Sequence, residues 1–270
     1  MPSTPDRMPA LFVGHGSPMN AIEDNRWSRA LRELATELPR PRSIVAVSGH
    51  WFVEGTRVTG HPHPPTIHDF GGFPRALHEV LYPAPGDPAL AERVRWLLGE
   101  DRVALDDRRG LDHGVWSVLI HLFPQADVPV VQLGLDQKLT PREHYQLARP
   151  LGSLRDEGVL LLASGNVTHN LGYAMRRHAD GDDSTPDWAA RFDEAVKRVC
   201  IDRDGDALAR LLSTDDGRMA QPTPDHFLPI LYVAAAADER DEASFPIEGF
   251  DWGSLSMRSV LFRSQPNRTL

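Results

Sequence analysis

Three apolar runs in this sequence end the same way, in small residues and then a histidine. Leu11-Phe12-Val13 leads into Gly14-His15, and Ile44-Val45-Ala46-Val47 into Ser48-Gly49-His50. Leu160-Leu161-Leu162-Ala163 leads into Ser164-Gly165 and, four residues later, His169. Short continuous apolar runs without polar alternation are those of strands buried on both faces. Such strands need helices above and below them, so the repeat directs the chain toward an α/β architecture. In open α/β sheets ligands bind in the crevice beyond the carboxyl ends of the strands. All three histidines are expected there, aimed into one crevice.

The rest of the chain fits that architecture. Strand runs are predicted over Ala10 to Val13, Ser43 to Val47, Val128 to Leu133, Val159 to Ala163 and Ser259 to Phe262. Between them, apolar residues three and four apart predict helices over Trp27 to Leu38, Pro88 to Leu98, Pro141 to Asp156, Pro186 to Arg203 and His226 to Ala237. Thr140-Pro141-Arg142-Glu143 is a capping box with proline in the first turn. Gly60 to Pro74 and His178 to Pro186 fit neither element, but strand and helix signals continue on both sides of each. The expectation is therefore one α/β domain over residues 1–270, with a central mixed, mostly parallel sheet flanked by helices on both faces. The site should lie near one edge of the sheet, and the tail after Ala237 should add little beyond a closing strand.

Composition narrows the partners. With 29 Lys and Arg against 38 Asp and Glu the net charge is -9, and no basic run is present, so nucleic acid and anionic membrane are not expected. No stretch approaches the roughly 18 apolar residues of a membrane span, and Met1 to Ala10 lacks the apolar core of a secretion signal. The single cysteine, Cys200, has no partner for an internal disulfide and falls in the helical pattern Phe192, Val196, Val199, Cys200, which places it in the core. A reducing, cytoplasmic setting is expected, in which the sequons at Asn166 and Asn267 are idle.

Taken singly, a histidine is usually a satisfied or exposed side chain. Three in one strand-end context change that, because neutral imidazole is the commonest metal ligand. Two more stand in comparable settings: His113 in Arg109-Gly110-Leu111-Asp112-His113-Gly114, and His226 in Pro222-Thr223-Pro224-Asp225-His226-Phe227. His226 reads as the first turn of a helix capped by Asp225 or Thr223. His61, His63, His68 and His78 read as polar loop residues, and His121, His144 and His178 as helix decoration. Asp69 to Phe73, with two glycines and two phenylalanines, reads as a pocket wall touching an aromatic ligand, against the alternative of a self-packed surface loop. Ser17 and Ser164 lack the G-x-S-x-G setting of a hydrolase nucleophile, and no nucleotide-binding glycine motif is present. What survives is a histidine-centred metal site.

The motifs together resemble a known family. Gly14-His15-Gly16-Ser17-Pro18-Met19, Ser48-Gly49-His50-Trp51, Thr66 to Pro74, Tyr82-Pro83-Ala84-Pro85-Gly86, Gly110 to Trp116, Ser164 to Asn170 and Pro224-Asp225-His226 occur in the order found in 4,5-DOPA extradiol dioxygenases, class III enzymes of the LigB-like group. The resemblance implies a non-haem iron(II) enzyme that opens a DOPA-like catechol ring with dioxygen, catechol and dioxygen being its small-molecule partners. It implies His15, His50 and His226 as metal ligands. His169 would be the acid-base group, near enough to serve as a fourth ligand at rest, and His113 a histidine facing the substrate. Asp69, Phe70 and Phe73 fall in the substrate loop, where His68 and Gly71 replace aromatics common in relatives. Many members of the wider class carry glutamate where His226 stands. A three-histidine set also suits zinc, which would fill the purified protein without supporting oxygen chemistry. A zinc-dependent hydrolase built on the same histidines is the alternative, and the oligomeric state is left open.

Overall fold

The computed structural model describes residues 7–264. Its strands are β1 (Ala10–Gly14), β2 (Ser43–Val53), β3 (Thr56–Thr59), β4 (Val103–Asp106), β5 (Val130–Asp136), β6 (Val159–Gly165), β7 (Asp241–Ser244), β8 (Phe250–Asp251), β9 (Leu255–Ser256) and β10 (Val260–Ser264). The helices are α1 (Arg26–Glu37), α2 (Arg75–His78), α3 (Pro88–Leu98), α4 (His113–Leu122), α5 (Pro141–Ala148), α6 (Leu171–Ala179), α7 (Asp187–Asp202), α8 (Gly205–Leu211), α9 (Asp215–Ala220) and α10 (Leu228–Ala235). Eight strands form one sheet in the order β4-β3-β5-β2-β6-β1-β10-β7, and β8 and β9 make a separate hairpin. The central pairs β2 with β5, β2 with β6 and β1 with β6 are parallel, while β10 runs antiparallel to β1 and β7. The expected α/β class and mixed, mostly parallel sheet are found.

Alternation along the strands builds two cores. Phe12, Val45, Val47, Leu161 and Ala163 face one side, packed with residues of α3, α5, α7, α8 and α10. Leu11, Val13, Ile44, Ala46, Leu160 and Leu162 face the other, packed with α1 and α4. Burying each such Leu, Ile or Val stabilises the fold by roughly 1.5–3 kcal/mol, which is why these runs carry no polar residue on either face.

The Thr140 capping box forms as expected, with Glu143 reaching back to the Thr140 amide. The α-helix ends at Ala148, earlier than the predicted Asp156, and continues as a 3-10 helix over Arg149–Glu157. Pro150 supplies the reason, since it has no N–H to extend the α-helical ladder. Helix α10 begins at Leu228 with Phe227 at its cap, so neither Asp225 nor Thr223 caps it, and His226 precedes it. The site also moves relative to expectation. Strands β2, β6 and β1 are the fourth to sixth of eight, so the crevice beyond them lies over the middle of the sheet. Among the described residues no helix is long and apolar enough to cross a membrane. Asn166 is buried, donates to the Ser256 carbonyl at 2.8 Å and accepts from the Gly16 amide, a structural role; Asn267 lies outside the described residues.

Candidate metal centre

His15 is the residue after β1. His50 lies inside β2, where the register against β5 shifts between Val47 and Phe52. Such an irregularity re-aims side chains, and here it turns His50 into the crevice. Gly114 makes room for it, since a Cβ there would stand 2.8 Å from the His50 ring and 2.5 Å from Ser48 Oγ. His113 opens α4 behind the cap Asp112. His226 is fixed through its backbone: its carbonyl accepts from the Asn166 amide at 3.0 Å and passes so close to Gly165 that a Cβ there would be 2.0 Å away. His169 sits on the loop from β6 to α6, its amide donating to the Ala220 carbonyl at 2.8 Å.

These five rings converge. His50 Nε2 lies 3.2 Å from His15 Nε2 and 3.3 Å from His226 Nε2. His113 packs on His50 with centroids 3.8 Å apart, and His169 stacks on His226 at 3.6 Å and 4°. Partners on the far sides of three rings set the tautomers. Ser164 Oγ donates to the Gly114 carbonyl, so it accepts from His15 Nδ1–H at 2.9 Å. Asp225 accepts from His226 Nδ1–H at 2.5 Å, and Asp69 accepts from both the His113 amide and its Nδ1–H, at 3.0 and 2.8 Å. Each of these rings therefore presents a bare Nε2. Ligating histidines are oriented in this way, by a hydrogen bond at the other ring nitrogen.

Electrostatics agrees with neutral rings at His15, His50 and His169. Burial, then the neighbouring His50 and His226, pushes His15 far below the ordinary histidine value, and burial followed by His226 does the same to His50. His169 is held at about 3 by burial and by His226. Burial would raise Asp69 and Asp225, but the hydrogen bonds from His113 and His226 outweigh it, leaving Asp69 at about 2 and Asp225 lower.

The donor set fits a divalent cation. A proton on His50 Nε2 can bridge to His15 or to His226, not to both, whereas a cation beside His50 satisfies it and a neighbouring ring at once. Nitrogens about 2.1 Å from a common ion at tetrahedral or octahedral angles stand about 3.0–3.4 Å apart, which brackets the 3.2 and 3.3 Å contacts. His113 also stands in this group: His15, His50 and His113 each offer a nitrogen within 4.8 Å of the other two.

In front of the histidines is a cavity of about 200 Å³. Phe70 and Phe73 line it, the Phe70 ring standing edge-on to His113 at 5.4 Å. Asp69 is not part of that wall and stands behind His113 as its anchor. The tail expected to add little supplies Asp251, Trp252 and Leu255 to the lining. Nothing local in sequence marks them, because they lie on a hairpin far from every histidine motif. The remaining histidines are elsewhere. His68 donates to the Val80 carbonyl, His121 to the Asn20 carbonyl, and His178 pairs with Asp183. His144 is on α5 as expected but fully buried, correcting its reading as surface decoration. Cys200 is buried in the core.

Residues 9–257 match the family model described as the catalytic LigB subunit of aromatic ring-opening dioxygenase. The chain is 50% identical over 258 residues to the 4,5-DOPA dioxygenase extradiol of Escherichia coli K12, covering 94% of each chain. It is 34% identical over 261 residues to the Beta vulgaris protein of the same name, covering 94% of this chain and 96% of that one. The crystal structure of an uncharacterized protein from Escherichia coli K12 superimposes with a TM-score of 0.81 at 44% identity, over 94% of this chain and 99% of that one. The crevice histidines thus sit in a chain that belongs to the LigB family of aromatic ring-opening dioxygenases.

Proposed function

We propose that this protein is an extradiol dioxygenase that opens a catechol ring beside its two hydroxyls, with iron(II) held by His15, His50 and His226. The observation that carries the reading is that His50 Nε2 faces both His15 Nε2 and His226 Nε2, at 3.2 and 3.3 Å, on a cavity lined by phenylalanines. Family membership favours ring cleavage over the zinc-hydrolase alternative. The names of the relatives favour a DOPA-like catechol as substrate.

When bound, iron(II) would supply the one-electron chemistry that dioxygen needs, which zinc, having no redox chemistry, cannot. The chain supplies the rest. Phe70 and Phe73 offer aromatic surface to the catechol ring. His169, stacked on His226 and lining the same cavity, is placed to take the proton a catechol hydroxyl releases and to return it later; general-base help of this kind is worth about 10²- to 10⁴-fold. His113, fixed at two points by Asp69, presents Nε2 toward the cavity as a hydrogen-bond partner for a substrate oxygen. The whole of 1–270 then acts as one catalytic domain, in a cytoplasmic setting that accords with its single buried cysteine.

Protein loaded with iron(II) without air, then given a catechol and air, should consume oxygen and form a yellow ring-opened product. Ester or amide hydrolysis by the zinc-loaded protein, with no oxygen uptake by the iron-loaded one, would overturn the reading.

A further inference from the structure

The histidine cavity adjoins a second one. Ser17, Asp251 and Trp252 line both, and the second, of about 340 Å³, reaches Glu23, Asn25 and Arg26. At about 200 Å³ the first cavity is smaller than the roughly 300–1,000 Å³ usual for ligand sites. A ring substituent can extend past those three shared residues into the second.

Asp251 is the charged residue at that junction. Apart from the histidines, the lining of the first cavity contains no other ionisable side chain. Among the described residues its carboxylate has no hydrogen bond or ion pair. Its charged neighbours in the second cavity do: Arg26 donates to the Phe250 carbonyl at 2.5 Å and lies 4.0 Å over the Trp27 ring, while Glu23 accepts from Asn25 at 3.3 Å. The β8–β9 hairpin sets where Asp251 stands. This residue pairs with Leu255 across the hairpin, whose turn places Trp252 at φ 44 and Gly253 at φ 69 and stacks the Trp252 ring on His178 at 5.0 Å. A positive φ at a bulky residue is a strained conformation that persists only where its surroundings enforce it.

We propose that Asp251 is a specificity-determining residue, accepting the ammonium of an aminoalkyl or amino-acid substituent, as on a DOPA-like catechol, and so selecting amine-bearing catechols over those whose substituent is neutral or bears a carboxylate alone. The proposal rests on the catechol reading of the site. A carboxylate in a partly enclosed wall gains more from a cation than it would in open water, and a charge-assisted N–H···O⁻ bond is roughly twice as strong as a neutral one. A substituent bearing a carboxylate and no ammonium would meet repulsion at the same point.

The test is an oxygen-free titration of the iron-loaded protein with dopamine, 4-methylcatechol and dihydroxyphenylpropionate, for the wild type, Asp251→Asn and Asp251→Lys. Asn keeps size and shape, and circular dichroism reports the fold of each variant. Asp251→Asn should weaken dopamine about 10-fold or more, leave 4-methylcatechol within about twofold, and leave or tighten the propionate. Asp251→Lys should reverse the order of dopamine and the propionate. Equal weakening of dopamine and 4-methylcatechol, or no change in either, overturns the assignment. Oxygen uptake by the wild type is read separately: if no catechol supports it, the ring-cleavage reading fails, while the binding ratios still decide the role of Asp251.

Discussion

Strands β1 and β6 carry a buried polar cluster at each end, and the two are built on opposite rules. At the amino end Arg155 is fully buried, and all five of its N–H donors have acceptors. Nε donates to the Met8 carbonyl, the two terminal nitrogens to both oxygens of Asp241 at 2.6 Å, and the remaining protons to the Ala236 and Phe262 carbonyls. At the carboxyl end His15, His50 and His226 bring acceptor nitrogens against one another. Folding alone favours the first arrangement, because a buried polar atom without a partner costs about 1–3 kcal/mol. The second is what remains when the missing partner is a cation. Satisfied burial thus marks structure in this molecule, and mutually facing acceptors mark function.

Substitutions at the two ends should separate these rules. The largest effect belongs to the histidines: His50→Ala should remove bound metal and reduce oxygen uptake below detection, with the melting temperature of the metal-free protein little changed or raised. Metal analysis beside calorimetry checks it, and a variant that keeps stoichiometric metal would break the comparison. At the other end Arg155→Met strands the Asp241 carboxylate, for which a loss of about 3–5 kcal/mol is expected. Denaturant unfolding measures that loss, and the protein that still folds should bind metal normally.

His144 gives an intermediate test, a buried histidine of the satisfied kind. Its Nε2–H donates to the Asp136 carbonyl, so Nδ1 accepts from the Tyr232 hydroxyl, and burial lowers it to about 4 from an ordinary 6.5. Below pH 6.5 the unfolded chain therefore takes up a proton that the folded chain refuses. The share of stability that His144 contributes should fall as pH drops from 6.5 toward 4, by about 3 kcal/mol. His144→Gln, which cannot titrate, should flatten that slope relative to the wild type. The smallest effect sharpens the functional end. His169→Ala should keep most of the metal and the catechol binding while lowering turnover about 10²-fold. If it loses metal as readily as His226→Ala, His169 is a ligand at rest and His113 becomes the next candidate for the base.

What could be read in the sequence follows from burial. Strands β1, β2 and β6 are covered on both faces, so their apolar runs are unbroken and the histidines after or within them stand out. Strands β3, β4 and β7 are short and carry exposed polar residues such as Arg57 and Glu242, which erased the signal and made the central crevice look like an edge. Helix α4 is buried almost all round, so Val115 to Leu119 shows no apolar stripe. Asp225 was legible as a polar residue near a helix start, but its carboxylate goes to His226 and not to the helix. Asp251 had no local signal at all, since only the tertiary path of the tail brings it to the cavity.

The hairpin that carries Asp251 also divides the cavity mechanically. On the sheet side its wall is made of strand ends paired with neighbours on both edges, whose amides should exchange with solvent only when the whole domain unfolds. On the hairpin side Leu255–Ser256 is buried and tied to Thr168 and Asn166, but its partner Phe250–Asp251 is a half-buried edge of two residues. Segments with so few backbone bonds open at far lower free energy than a central sheet, so their amides should exchange early and on their own. The cavity therefore has one wall that keeps time with global unfolding and another whose outer strand breathes.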